Sequence, residues 1–281
     1  RLLKNVRPEH LILAEADSND TWARDHGGIT MLPAGTEGKR KSPALILDFV
    51  FNGWGLKFPA DKDNLLTGHL HRQGVLKGRL RHGGMVLEGG GIETDGEGTL
   101  LTTSECMLSP NRNPHLTARQ IEKRLIRLFG AKRVLWLHNG YLSGDDTDSH
   151  VDTLARFGDV HTILYMRCTD TADEHFPALQ AMETELQLFR TPHGRPYRLV
   201  ALPWPDACYD ASGHRLPATY ANFLFINGAV LVPLYGVRQD AEAMQIFREV
   251  FPDREVIGIN CRPLILQHGS LHCVTMQYPA F

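Results

Sequence analysis

The chain has 281 residues, 42% of them hydrophobic and 22% charged, a balance that suits a folded globular protein with a sizeable core. Thirty Lys and Arg face thirty-two Asp and Glu, so the net charge of −2 excludes the broad basic field that recruits nucleic acid or an anionic membrane, and function must sit in specific pockets. The five cysteines, Cys106, Cys168, Cys208, Cys261 and Cys273, are widely spaced, odd in number and never Cys-x-x-Cys, which predicts reduced thiols rather than a disulfide framework or a zinc knuckle.

No apolar run approaches the ~18 residues of a membrane span, and the opening "RLLKNVRPEH" lacks the apolar stretch of a secretory signal. The chain also starts without Met, so further residues are expected ahead of Arg1. A cytoplasmic location is the expectation.

In chain order, the first unusual stretch is "NDTWARDHGG" (19–28), which crowds Trp22, Arg24 and Asp25 in front of a glycine pair. Asp25 reads as a turn former or a ligand-holding acid, Trp22 as packing or a ligand plate, and Asp20 as loop structure. "LEGGGIETDGEG" (87–98) sets Glu88 before a glycine turn. The strand in "GEGTLLTTSECML" (96–108) leads to "TARQIEKRLIRLFG" (117–130), where Ile121, Leu125, Ile126 and Leu128 fall at helical spacing, Thr117 is the N-cap and Gly130 the stop. "VLWL" (134–137) follows as a buried strand.

"DSHVDTLARFGD" (148–159) carries His150 and Asp152 two residues apart, a spacing that shares one face if this stretch is a strand. After it come the strand "DVHTILYM" (159–166), the helix "PALQAMETELQLFR" (177–190) and the strand "RLVALP" (198–203). "TYANFLFINGA" (219–229) holds Asn222, and the strand "NGAVLVPLYG" (227–236) leads to a helix capped by Asp240 and ended near Pro252, then the strand "EVIGI". "QHGSLHCVTMQ" (267–277) closes the series with Cys273.

"LFGAKRVLWL" and "VFPDREVIGI" share an aromatic, a turn, a charged pair and an apolar strand at matching offsets, which predicts an internal repeat of strand, turn, strand, helix, strand. With no linker to mark a boundary, residues 1–281 read as one continuous domain. Each unit leaves a sheet face and a helix stripe apolar, so the units must pack about a common axis, with the turns facing a shared cavity.

Those turns offer Asp25, Glu88, His150, Asp152, Asn222 and Cys273. A thiol is a competent nucleophile once deprotonated, and an imidazole is the usual proton shuttle near neutral pH. The surplus of acids is the informative part, because carboxylates raise a thiol pKa and make sense if the substrate is a cation. A planar guanidinium matches carboxylates along its edges and an aromatic ring on its face, which would give Asp25 and Trp22 their purpose. The competing chemistry is a metal site drawn from His138, His150, Asp152, His161, His268 and His272, but no compact ligand cluster is evident. A non-catalytic amine-binding module is the reading from another class, and the presence of both Cys273 and His150 speaks against it.

Taken together, "NDTWARDHGG", "LEGGGIETDGEGTLLTT", "NRNPHLT", "TDSHVDTLARF", "YANFLFINGAVLVP", "FPDREVIGI" and "HGSLHCVTMQ" resemble the agmatine deiminase and bacterial (Porphyromonas-type) peptidylarginine deiminase family of the guanidine-modifying, or pentein, superfamily. The likeness runs in order over nearly the whole chain. It implies a five-bladed α/β propeller, incomplete here at its N-terminal side, and hydrolytic deimination through a cysteine thiouronium intermediate with no metal or organic cofactor. It also implies Cys273 as nucleophile, His150 as general acid/base, Asp25 and Asp152 as guanidinium holders, Trp22 and Asn222 as pocket residues and Glu88 as a supporting acid. Relatives often read Gly-Pro where this chain has "HGG", and Gly-Gly-Gly-Asn where it has "QHGS". The expected partner is a small guanidinium cation, most simply agmatine going to N-carbamoylputrescine, with peptidyl- or free arginine going to citrulline as the alternative. A homo-oligomer is compatible with all of this.

Overall fold

The computed structural model describes residues 6–32 and 43–279. Its organising element is a three-stranded sheet that occurs four times among the described residues. The first unit contains β1 (Ile29–Met31), β2 (Leu45–Val50), the helix Asp63–Arg72 and β3 (Arg79–Val86). The second contains β4 (Ile92–Thr94), β5 (Thr99–Thr103), the helix Ala118–Phe129 and β6 (Arg133–Leu137). The third contains β7 (Ala155–Asp159), β8 (Thr162–Arg167), the helix Phe176–Leu188 and β9 (Arg198–Pro203). A short hairpin, β10 (Cys208–Tyr209) with β11 (Arg215–Leu216), precedes the fourth unit: β12 (Leu224–Ile226), β13 (Ala229–Leu234), the helix Asp240–Val250 and β14 (Glu255–Asn260).

In every unit the first two strands pair antiparallel, and the helix carries the chain across to a parallel third strand. That order follows from connection length, since a parallel neighbour can be reached only by a long crossover. The repeat expected from sequence is therefore present, and the fold is α/β. Among the described residues no sheet closes on itself, and no fifth three-stranded sheet is present.

Local chemistry accounts for the elements. Thr117 caps the second unit's helix with a full capping box: its hydroxyl accepts from Gln120 N while Gln120 accepts from the Thr117 backbone. Gly130 ends that helix at φ 62°, the left-handed conformation glycine adopts without penalty. Asp240, expected as a cap, is instead the first helical residue. Its carboxylate accepts from the backbone N–H groups of Tyr235, Gly236 and Val237 and from the Tyr220 hydroxyl, so it pins the incoming turn. The "VLWL" strand lies within β6 as expected, but only Leu137 is fully buried; Val134, Leu135 and Trp136 are half-buried.

The core sits between units. One apolar cluster joins Leu47 and Met85 of the first unit to Leu100, Ile121 and Leu125 of the second. Another joins Leu101 and Leu137 to Ile163, Leu179 and Met182, and a third joins Leu164 and Leu202 to Val230, Val232 and Phe247. Complete burial of a leucine such as Leu125 contributes roughly 1.5–3 kcal/mol. Shared clusters of this kind hold consecutive sheets against each other and leave the segment just before each first strand at a common centre. No helix among the described residues is long and apolar enough to cross a membrane. All five cysteines are free and buried.

Candidate active site

Four of the five polar turns precede a first strand: 20–28 before β1, 87–91 before β4, 148–154 before β7 and 219–223 before β12. The fifth, 267–277, follows β14. The short helix Ala23–His26 and the 3-10 turns Gly89–Gly91 and Val151–Thr153 lie against one another at the centre.

The tightness of that centre is recorded at Gly90. A methyl group placed there would lie 2.6 Å from His150 Nδ1, 2.9 Å from Asp25 Oδ1 and 3.0 Å from Asp152 Oδ2. The glycine run after Glu88 thus lets three functional groups, one from the first unit and two from the third, converge on the second. His150 and Asp152 do not share a strand face as the spacing suggested. They lie at and within a 3-10 turn, and convergence on Gly90 brings them together.

The imidazole of His150 lies between two acids, with Nδ1 3.5 Å from Asp25 Oδ1 and Nε2 3.3 Å from Glu88 Oε2. Burial opposes its charge, but Asp25, Cys106 and Glu88 outweigh burial and raise its pKa well above the usual value. Glu88 is itself gripped by Arg112, whose Nε donates to both carboxylate oxygens at 3.0 and 2.8 Å, with both side chains about 1% exposed. Burial works to raise the Glu88 pKa, and His150 and Arg112 more than reverse it. Arg112 also donates to Asp148 at 2.6 Å and to the Thr147 carbonyl at 2.8 Å, which ties the His150 turn to this ion pair.

Asp25 accepts from Gly90 N and from Trp54 Nε1, each at 2.9 Å. Asp152 Oδ2 faces His272 Nδ1 at 2.7 Å, whereas Asp152 Oδ1 is buried with no partner among the described residues. Burial, opposed by His150 and reinforced by Asp25, pushes the Asp152 pKa up to about 7. Burial together with Arg156, Arg24 and His150 holds His272 well below the usual value, so its neutral ring donates from Nδ1 to the carboxylate. Cys273 has the opposite shift: burial, then Asp152 and Asp25, raise its thiol well above the ordinary range, against Ser270 and Asn222. Asn222 Oδ1 accepts from His272 N at 2.8 Å, Cys273 N at 3.3 Å and Cys273 Sγ at 3.4 Å, and so fixes the cysteine turn.

Cys273, Asp25 and Trp22 line a narrow cavity of about 120 Å³, together with Asp20, Trp54, Phe58, Asp146, Thr147, Gln267, His268 and Gly269. A methyl at Gly269 would lie 2.3 Å from the Trp22 ring, so this glycine is what admits the indole as a wall. Trp54 (φ 55°) and His268 (φ 67°) are held in the left-handed region, an unusual backbone for such side chains and one that clusters at functional sites. His150, Asp152, Glu88 and Asn222 stand behind the lining rather than in it. A larger cavity of about 710 Å³ beside Cys168, Trp204 and Arg238 contains none of the predicted site residues.

Three contributors escaped sequence reasoning. Asp20 lines the cavity although it reads as loop. Trp54 reaches Asp25 from "NGWG", where a tryptophan flanked by glycines is a signal that could have found it. Arg112 lies within the "NRNPHLT" stretch, but nothing local marks Glu88 as its partner. Glu88, Cys106 and His150 form the one group of metal-capable side chains within 4.8 Å of each other among the described residues, and Arg112 already occupies both Glu88 oxygens. Of the histidines considered as metal ligands, only His150 belongs to it.

Comparison with known proteins gives this geometry a family. The model of the Porphyromonas-type peptidyl-arginine deiminase family matches residues 2–279. A Shewanella baltica (strain OS195) protein, provisionally named agmatine deiminase, is 35% identical over 99% of this chain and 78% of its own length. The crystal structure of a provisionally named arginine deiminase from Porphyromonas gingivalis superposes with a TM-score of 0.92 at 55% identity, over 99% of this chain and 81% of that one. The C. jejuni agmatine deiminase, solved as a cysteine-to-serine variant with substrate bound, gives 0.84 at 41% identity over 93% of this chain and 74% of that one. The chain therefore belongs to the Porphyromonas-type peptidyl-arginine deiminase family and is a hydrolase acting on C–N bonds of amidines.

Proposed function

We propose that the protein hydrolyses agmatine to N-carbamoylputrescine and ammonia at Cys273, as a single propeller domain whose five polar turns meet at one centre. The observation that carries the choice of substrate is the charge of the cavity: Asp20, Asp25 and Asp146 line it, and among the described residues no Lys or Arg does. Agmatine is a dication with a guanidinium at one end and an amine at the other. Free arginine would bring an α-carboxylate into a ring of acids, at a cost in Coulomb energy. The comparison with agmatine deiminases supports the same reading.

In this mechanism the guanidinium lies against Asp25 and the unpartnered Asp152 oxygen, with Trp22 along its face. Its positive charge offsets the two acids that raise the Cys273 thiol, so the thiolate forms when substrate is bound. The thiolate attacks the guanidinium carbon and an S–C bond forms. His150, kept protonated by Asp25 and Glu88, gives its proton to the departing nitrogen as the C–N bond breaks and ammonia leaves. The neutral His150 then takes a proton from water, whose oxygen attacks the thiouronium carbon, and C–S cleavage releases the thiolate and the ureido product as the second water proton passes to solvent. Glu88 and Asn222 are positioning residues, the first for the imidazole and the second for the cysteine turn. Five free thiols accord with a reducing cytoplasm as the place of reaction.

The test is kcat/KM for agmatine, arginine and a peptidyl-arginine, measured by ammonia and ureido-product release. Agmatine is expected to be the best substrate. Preference for either arginine form would overturn this reading in favour of citrulline formation.

A further inference from the structure

Behind the cysteine turn lies a second cavity of about 710 Å³, separate in its lining from the catalytic one. We propose that it binds a small organic carboxylate with an apolar body. Arg24, only 8% exposed, lines it, and its guanidinium is met by the His272 carbonyl, the Met276 sulfur and the Gln277 side-chain oxygen. None of these carries charge, and among the described residues no carboxylate pairs with Arg24. A buried cation without a counter-ion is costly, and structures normally supply one.

The neighbouring acids are already engaged. Glu93, also in the lining, pairs with Arg156 at 2.7 Å; Asp25 accepts from Gly90 and Trp54, and Asp152 faces His272. Arg156 lines the same cavity at 3% exposure, so two buried guanidiniums share it with the ion-paired Glu93, while Glu97 and Lys132 line its exposed edge. Burial and then Arg156 push the Arg24 pKa down to about 10, as expected of a cation short of compensation. Ile29, Met31, Ile92 and Phe225 supply apolar wall, which suits a hydrophobic body and disfavours a strongly hydrated phosphate. A carboxylate matches the planar fork of arginine.

The site is coupled to the catalytic turn through backbone. Arg24 Nε donates to the His272 carbonyl at 3.4 Å, and Arg24 N donates to the Cys273 carbonyl at 3.0 Å. An occupant that draws the Arg24 guanidinium toward itself acts on the two residues that carry the thiol and hold Asp152.

Calorimetric titration of the 281-residue protein with 3-phenylpropanoate and with its uncharged amide tests this. The carboxylate is expected to bind at least about ten-fold tighter than the amide, a preference set by the charge-assisted contact. Arg24→Gln should bring the carboxylate down to the level of the amide. Met31→Trp, which narrows the cavity without touching either arginine, should weaken both probes and serves if Arg24→Gln does not fold. Equal affinity for acid and amide, no binding of either at millimolar concentration, or unchanged carboxylate binding by folded Arg24→Gln would overturn the proposal. Displacement of the carboxylate by agmatine from Cys273→Ala protein would also overturn it, by locating the probe in the catalytic cavity. Binding is read without turnover, so failure here leaves the catalytic reading untouched.

Discussion

The two cavities at the centre of the molecule are lined from the same two turns yet have opposite character. From the stretch 22–25, Trp22 and Asp25 line the narrow cavity and Arg24, between them, lines the wide one. From the pair 272–273, Cys273 lines the narrow cavity and His272 the wide one. Within these two turns neighbouring residues sort to opposite sides, Asp25 and the Cys273 thiol to the narrow cavity and the Arg24 guanidinium and the His272 imidazole to the wide one. The narrow side has unmet demand for a cation in the acids at its wall, and the wide side has unmet demand for an anion at Arg24. Each side also tunes the other, since Arg24 and Arg156 help to keep His272 neutral while His272 faces Asp152.

The comparison can be broken most severely at the proton shuttle. His150→Gln keeps a hydrogen-bonding group between Asp25 and Glu88 but removes the transferable proton, and kcat for agmatine should fall by ~10²–10⁴. Rate loss of only a few-fold, in protein that retains its fold, would remove His150 from the chemistry.

A smaller effect is expected at the mouth of the acidic side. Asp20→Asn combined with Asp146→Asn should raise KM for agmatine on the order of 30-fold with little change in kcat, because the proposed mechanism gives the guanidinium to Asp25 and Asp152 and leaves these two lining acids for the far amine. Selectivity between agmatine and arginine should narrow in the same variant. Unchanged KM would mean that the amine is held elsewhere.

The mildest test is pH. Burial raises the Asp152 pKa to about 7, and in the proposed mechanism Asp152 holds the guanidinium as an anion, so substrate affinity is expected to rise as pH climbs through that value. Between pH 6 and 8, KM for agmatine should fall about ten-fold, and Asp152→Asn should flatten the profile. A wild-type KM that is flat over this range would show that the carboxylate is already ionised, contrary to its burial.

Much of this was legible in the sequence, for a physical reason. Helix ends are local events, so Thr117 and Gly130 declare the second unit's helix within a few residues of chain. The repeat was legible because each unit reuses the same strand, turn and helix plan. Cys273, Asp25 and Trp22 line the cavity together, and His150 and Asp152 stand beside them, as the five polar turns suggested. Partnerships between residues distant in the chain were not legible. Glu88 with Arg112, Asp25 with Trp54 and Asp152 with His272 join residues far apart in the chain, and nothing near either member announces the other. Strand alternation was the wrong reason for bringing His150 and Asp152 together, because the 3-10 turn and the missing side chain at Gly90 do it instead. The direction in which Arg24 faces follows from packing alone.

The central claim is that the thiol of Cys273 becomes bonded to the guanidinium carbon. The direct measurement is a single-turnover reaction of the wild-type protein with agmatine, quenched in acid at successive times, digested and read by mass spectrometry. The account predicts an amidino adduct on the peptide containing Cys273 that rises and then decays as N-carbamoylputrescine appears, with neither adduct nor product from Cys273→Ala. Product formed while the Cys273 peptide stays unmodified, and formed equally well by Cys273→Ala, would contradict it.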